Sequence, residues 1–289
     1  MSAPSIIAGL SEIADCYDAV LCDVWGVIHN GRESFPEACE ALVRFQQERG
    51  PVVLISNVPR PSRFVLSQLD QLKVPREAWS GFVASGDATF EQLVARAPGP
   101  AWALGPARDA GLYEGSGVEI AELPEQAAFI SCTGLFDDDI ETPEDYRERL
   151  QICADRGLEM ICANPDLVVQ KGDKMIYCAG ALAQLYEELG GKVLMAGKPF
   201  SPIYQLSYAE ADRLAGRPVP RDRILAIGDG LPTDVKGANR EGLDLLFVAG
   251  GIHAAELAGP NGRMEQALVD DFLRRAEASA RWAAPRLEW

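Results

Sequence analysis

Positive charge is scarce in this 289-residue sequence: 27 lysines and arginines stand against 43 aspartates and glutamates, a formal net charge of −16. Such a surface repels nucleic acid and anionic lipid, so neither is expected as a partner. Histidine occurs only twice, at His29 and His253. Neither lies near a serine in a nucleophile elbow, and there is no P-loop, so a serine-hydrolase triad and a Walker-type nucleotide site lack local support. The seven cysteines are odd in number and no two are three residues apart. That disfavours a disulfide framework and a zinc ribbon, and leaves small buried thiols in a reducing compartment. No apolar run approaches the ~18 residues of a membrane span, and Met1 to Leu10 lacks the basic start and long apolar stretch of a secretion signal. A soluble, cytoplasmic protein with no membrane partner is expected.

What is present is a globular composition, 47% apolar and 24% charged, in a pattern that alternates short β-like runs with helical ones. Apolar runs at Ala19 to Val24, Pro51 to Ser56 and Gly81 to Ala84 predict strands. Pro36 to Gly50 and Pro61 to Leu72 predict helices between them. The last third repeats the alternation: strands at Val193 to Ala196, Arg223 to Ile227 and Leu243 to Val248, helices at Ser201 to Ala215 and Pro232 to Arg240, and a final helix from Met264 with a loose tail. This is the signature of a parallel sheet wrapped by helices, an α/β Rossmann-like core. Between the two halves, residues 86–192 carry 8 basic and 20 acidic residues, net −12. They have their own predicted strands (Ala101 to Leu104, Ala127 to Ser131, Glu159 to Cys162) and helices (Thr142 to Arg156, Met175 to Gly190). The expected organisation is a core formed by 1–84 and 193–289 with an inserted domain at 85–192; the alternative is one long mixed α/β domain.

Ligands of open parallel sheets sit outside the carboxyl ends of the strands, so polar residues just after strands are the candidates. Asp23 follows the first predicted strand, Ser56 and Asn57 the second, Lys198 the Val193 strand, and Asp229 and Asp234 flank a glycine-containing turn after Ile227. A carboxylate able to attack phosphorus, further carboxylates for a hard cation, and a lysine with hydroxyl and backbone donors for phosphoryl oxygens are the parts that phosphoryl transfer requires. Each part alone has a plainer reading as a turn, cap or solvated residue. The acidic triplet Asp137-Asp138-Asp139 lacks a calcium loop's glycine, since Thr142 stands there, and reads as a solvated face before a capped helix start at Thr142-Pro143-Glu144-Asp145. The glycines at 228 and 230 begin a dinucleotide fingerprint, but Thr233 stands where its third glycine belongs.

Taken in order, Asp23-Val24-Trp25-Gly26-Val27, Ser56-Asn57, Gly197-Lys198-Pro199 and Gly228-Asp229-Gly230-Leu231-Pro232-Thr233-Asp234 resemble the four motifs of the haloacid dehalogenase (HAD) superfamily. The insert between the second and third motifs, with Ala84-Ser85-Gly86-Asp87-Ala88-Thr89 and Asn164-Pro165-Asp166, is similar to the class IIA branch of p-nitrophenyl-phosphatase-like and sugar-phosphatase-like enzymes. The resemblance implies a core with an inserted α/β cap of type C2, and a Mg²⁺-dependent phosphohydrolase acting on a small-molecule phosphomonoester, with room for a homo-oligomer. By position, Asp23 is then the nucleophile that forms an aspartyl-phosphate and also a metal ligand. Trp25 offers its backbone carbonyl to the metal, which Asp229 and Asp234 complete. Ser56, Asn57 and Lys198 hold phosphoryl oxygens. Asn164 and Asp166 face the substrate or stabilise the cap.

The sequence departs from the family at Trp25, where its phosphatases normally carry a second aspartate as general acid and base. An indole exchanges no proton at neutral pH, and a term typically worth ~10²–10⁴ in rate is removed or supplied elsewhere. Three explanations stand side by side: leaving groups that need little protonation, such as acyl or aryl phosphates; a substitute such as His29 or a cap carboxylate; or decay into a metal- and phosphometabolite-binding or regulatory protein. The superfamily's dehalogenases also carry an aromatic residue there but do not depend on a metal pair like Asp229 and Asp234, so phosphoryl chemistry is favoured. The acidic insert disfavours polyanionic substrates, within the ~8 Å reach of charge at physiological salt.

Overall fold

The structure, a computed structural model, describes residues 3–171, 174–259 and 262–289. The chain divides into two compact units: Met1–Ser56, Val65–Val83 and Tyr204–Trp289 form the first, and Asn57–Phe64 with Ala84–Ile203 the second.

The first unit is built on a seven-stranded sheet in the order Ser5–Ile6, Trp282–Ala284, Asp244–Val248, Ile224–Gly228, Ala19–Asp23, Val52–Ser56, Gly81–Ala84. Ile224–Gly228 pairs in parallel with both Asp244–Val248 and Ala19–Asp23, and Ala19–Asp23 in turn with Val52–Ser56. The central strands are buried along their whole length, which is why they read as continuous apolar runs rather than as alternation. The helix Pro36–Glu48 starts with proline at a position where its missing N–H costs nothing, and buries Ala38, Cys39, Ala41, Leu42 and Phe45 at helical spacing. Phe45 is fully buried, so Phe45→Ala would cost about 3–5 kcal/mol.

The second unit has a five-stranded sheet in the order Lys192–Met195, Glu159–Cys162, Phe129–Cys132, Ala101–Leu104, Ile120–Ala121, parallel throughout. A two-stranded antiparallel pair, Val168–Lys171 with Lys174–Tyr177, stands apart from it. Leu150, Cys153, Met160, Leu182 and Tyr186 lie in its main apolar cluster.

Several expectations are corrected. The strand expected to open the returning half of the core at Val193 to Ala196 is Lys192–Met195 and pairs with Glu159–Cys162 in the second sheet; so short an apolar run carries no mark of which sheet it joins. Met175–Tyr177, expected at the start of a helix, is extended, and the helix runs only over Ala179–Glu188. The expected loose tail is instead the strand Trp282–Ala284, and the Leu10 N–H donates to the Glu288 carbonyl (2.7 Å). The expected helices at 61–72, 142–156 and 232–240 each divide into a tight or wide turn followed by a shorter α-helix. Thr142 does cap its turn, its N–H and Oγ1 both donating to Asp145 (2.8 and 2.9 Å). Six of the seven thiols are buried, and Cys16 is exposed. Among the described residues no helix is long and apolar enough to cross a membrane.

Candidate active site

Three carboxylates meet in the first unit. Asp23 ends its strand and Asp229 follows the adjacent parallel strand, so chain direction alone brings them to the same sheet edge. Asp234 comes back to them from a single wide turn, Leu231–Val235, in which the Asp234 and Val235 N–H groups both donate to the Gly230 carbonyl (2.8 and 3.0 Å). Wide turns of this kind are rare and concentrate at functional sites. All three side chains are buried, and each offers an oxygen within 4.8 Å of the others. Ser56, half-buried, closes the neighbouring strand, in which Ile55 pairs with Asp23.

The carboxylates are oriented by backbone. The Ile252 N–H donates to Asp229 Oδ2 (2.8 Å) and the Gly230 N–H to Asp234 Oδ2 (3.0 Å), with Thr233 Oγ1 at 3.3 Å from the same oxygen. Glycines make these approaches feasible: a Cβ on Gly26 would stand 2.1 Å from Asp229 Oδ2, one on Gly251 2.0 Å from the same atom, and one on Gly228 2.3 Å from Asp234 Cβ. Gly26 also has φ +83°, a left-handed conformation that favours glycine. Gly251 and Ile252 were missed by sequence reasoning, although a glycine pair directly after the strand Asp244–Val248 was a readable sign of close backbone approach.

The donor set fits a hard divalent cation. Three buried carboxylates so close repel one another by an order of 3 kcal/mol per pair at an effective dielectric of ~20. An all-oxygen set of this kind suits Mg²⁺ rather than zinc.

Trp25 and His29 organise the loop after Asp23. The Gly26 N–H donates to the His29 carbonyl (2.8 Å), and the Gly31 N–H donates to His29 Nδ1 (3.1 Å). The His29 ring meets the Trp25 indole edge to face, centroids 5.6 Å apart. Burial pushes the His29 pKa down. With Nδ1 accepting a hydrogen bond from the Gly31 N–H, His29 is placed as a loop-shaping residue. His253 packs its ring on Phe272 (4.7 Å), and burial lowers its pKa as well.

The remaining candidates meet in the second unit. The Asn57 amide clamps the Lys198 backbone from both sides: the Lys198 N–H donates to Asn57 Oδ1 (2.7 Å), and Asn57 Nδ2 donates to the Lys198 carbonyl (3.0 Å). Asn57 Nδ2 also donates to Asp166 Oδ1 (3.2 Å), and the Asp166 N–H to Asn164 Oδ1 (3.0 Å). Gly197 allows this, since a Cβ there would stand 2.5 Å from Asn57 Oδ1 and 2.8 Å from Ser85 Oγ. Asn57, Asn164, Asp166 and Lys198 are thus one connected group, with the Asn57 side chain holding Lys198 in place. Asp138 forms an ion pair with Arg108, and Asp137, Asp138 and Asp139 each offer an oxygen within 4.8 Å of the others.

The chain is an α/β protein with buried carboxylates at the carboxyl edge of one parallel sheet and a second unit that carries its own sheet. Residues 20–119 match the haloacid dehalogenase-like hydrolase family and residues 195–274 the HAD-hydrolase-like family. A haloacid dehalogenase-like hydrolase from Brucella suis is 42% identical over 98% of this chain and 100% of its own, with a TM-score of 0.84. The chain belongs to the haloacid dehalogenase-like hydrolase family. A 4-nitrophenylphosphatase from Thermotoga maritima (21% identity, 95% of this chain and 96% of its own, TM-score 0.71) and a p-nitrophenyl phosphatase from Archaeoglobus fulgidus (19%, 93% and 96%, TM-score 0.70) share the fold. No curated protein matches the chain.

Proposed function

We propose that this protein is a Mg²⁺-dependent phosphatase that hydrolyses a small phosphomonoester through an aspartyl-phosphate on Asp23. The observation that carries the reading is the buried triad of Asp23, Asp229 and Asp234 at the edge of the parallel sheet. The names of the fold's phosphatase relatives support the same reaction class. Asp23, Asp229, Asp234 and the Trp25 carbonyl would hold the cation, whose charge offsets that of the phosphoryl oxygens.

In the first step an Asp23 carboxylate oxygen attacks phosphorus, the ester P–O bond breaks, and the leaving oxygen departs with the electron pair. Water then adds to phosphorus, the bond to Asp23 breaks, and inorganic phosphate leaves with the spare proton passing to solvent. Ser56, the Asn57 backbone and Lys198 are assigned by motif order to the phosphoryl oxygens. Asn164 and Asp166 are assigned to holding the Lys198 segment, because their hydrogen bonds converge on Asn57. The Trp25 indole exchanges no proton at neutral pH, so turnover favours leaving groups that depart unprotonated.

Release of phosphate from acetyl phosphate with Mg²⁺ tests the reading. Asp23→Asn is expected to reduce it by at least ~10³-fold, and undiminished release in that variant would reject the covalent mechanism. The rival reading, a metal and phosphometabolite binder without turnover, is favoured by Trp25 alone. It predicts Mg²⁺-dependent phosphate binding and no release from any acyl or aryl phosphate.

A further inference from the structure

Trp25 stands out among the five tryptophans of the chain. Trp79 and Trp102 are buried and Trp282 and Trp289 half-buried, whereas Trp25 is 43% exposed. Its surroundings are not those of a surface loop. Asp23, Val24, Val27, Ile28 and His29 on either side are all buried, so one large apolar side chain projects from an otherwise buried segment two residues beyond Asp23. The indole is also fixed. His29 braces it edge to face, and Gly31 runs so close beneath its six-membered ring that a Cβ there would stand 2.3 Å from the ring. His29 is held in turn by the Gly31 N–H, and the backbone bridges from Trp25 to His29 and from His29 to Ser34 close the loop on itself.

We propose that Trp25 is a stacking platform for the leaving group, and that the substrates are aryl phosphates. The proposal deepens the phosphatase reading and rests on it for the reaction. Two separate properties of the same residue select this class. As a surface, a fixed indole face takes a flat aromatic ring in offset stacking. As a replacement for a proton donor, it leaves the ester oxygen to depart as an anion, which a phenol with a pKa near 10 can do and an alkanol cannot do readily. In the balanced step, Asp23 Oδ bonds to phosphorus, the P–O(aryl) bond breaks, the phenolate leaves with the electron pair, and solvent protonates it.

Binding is measured first, without turnover, using phenylphosphonate and methylphosphonate in the presence of Mg²⁺. The expected result is tighter binding of phenylphosphonate by roughly threefold to tenfold, a preference that falls to near unity in Trp25→Leu and largely returns in Trp25→Phe. An equal preference in wild type and in a folded Trp25→Leu would overturn the platform, whatever the enzyme hydrolyses. Turnover is measured second, as the ratio of kcat/KM for phenyl phosphate over acetyl phosphate. That ratio should fall in Trp25→Leu by the same factor, and an unchanged ratio would also count against the platform. Failure of the phosphatase reading shows separately, as the absence of phosphate release from either substrate in the wild type.

Discussion

The two parallel sheets of this molecule are built alike and finished differently. In the seven-stranded sheet, one strand ends at Asp23 and its neighbour at Gly228, with Asp229 and Asp234 following within six residues, so three like charges come to one edge beside Ser56. In the five-stranded sheet, strands ending at Cys162 and Met195 lead to Asn164, Asp166 and Lys198, which bond with one another through Asn57. The first edge concentrates carboxylates in an arrangement suited to a cation. The second is a hydrogen-bonded network that holds the Lys198 backbone in place. Parallel-strand architecture supplies a place for chemistry, and the residues at the strand ends decide what each edge contributes.

The sharpest way to break this contrast is Asp229→Asn, which removes one of the proposed oxygen ligands. Mg²⁺ affinity should fall by at least ~100-fold by titration calorimetry. The thermal stabilisation by excess Mg²⁺, about 2.7 kcal/mol at a hundredfold excess over Kd in the intact protein, should disappear. Unaltered Mg²⁺ binding would show that the carboxylate edge is not the cation site. Gly251→Ala probes the same edge without touching a charge. The new methyl would meet Asp229 Oδ2, so a ~10–100-fold loss of Mg²⁺ affinity is expected with the far-ultraviolet spectrum retained.

Asn57→Leu addresses the other edge. It strips partners from the Lys198 N–H and carbonyl, and two buried unsatisfied groups should cost about 2–5 kcal/mol in urea unfolding. Mg²⁺ affinity should hold; a parallel loss of it would mean that the two edges are energetically one. The smallest expected effect is at His253. Burial depresses its pKa, so the unfolded chain takes up a proton below pH 6.5 that the folded chain resists. The wild type should therefore lose stability relative to His253→Leu as pH falls from 7 to 5, and the two should differ by a constant amount above pH 7. Parallel denaturation curves at pH 5 and 7 would contradict this.

The sequence shows the seven-stranded sheet more readily than its companions because its central strands are buried on both faces and unbroken by polar residues, as in Val52–Ser56 and Ile224–Gly228. Met175–Tyr177 is amphipathic enough to continue the helical pattern of Ala179–Glu188, and only pairing with Val168–Lys171 makes it a strand. Trp282–Ala284 is three residues long and exists because a neighbouring strand offers partners, a tertiary cause that no window of sequence contains. Within the site, residue types and order indicated the carboxylates. What could not be read was the role of Asn57: its value as a clamp depends on Lys198, 141 residues away, presenting backbone rather than side chain. His29 reads more readily as a solvated loop residue than as a substitute acid, and its hydrogen bond from the Gly31 N–H depends on a turn that the sequence does not show.

The neighbours of Ala19–Asp23 in the first sheet have a consequence for how the chain assembles. One neighbour, Val52–Ser56, is close in sequence, but the other, Ile224–Gly228, is made about two hundred residues later on the ribosome. The five strands of the second sheet all lie between Ala101 and Met195 and are complete before that partner emerges. Loop-closure entropy favours the shorter-range sheet, so pulse-labelled amides at Ile130 and Ile161 should gain protection before those at Leu21 and Ala226 during refolding. The strand that ends at Asp23 would then wait half-paired, and the carboxylate edge would be the last part of the molecule to mature.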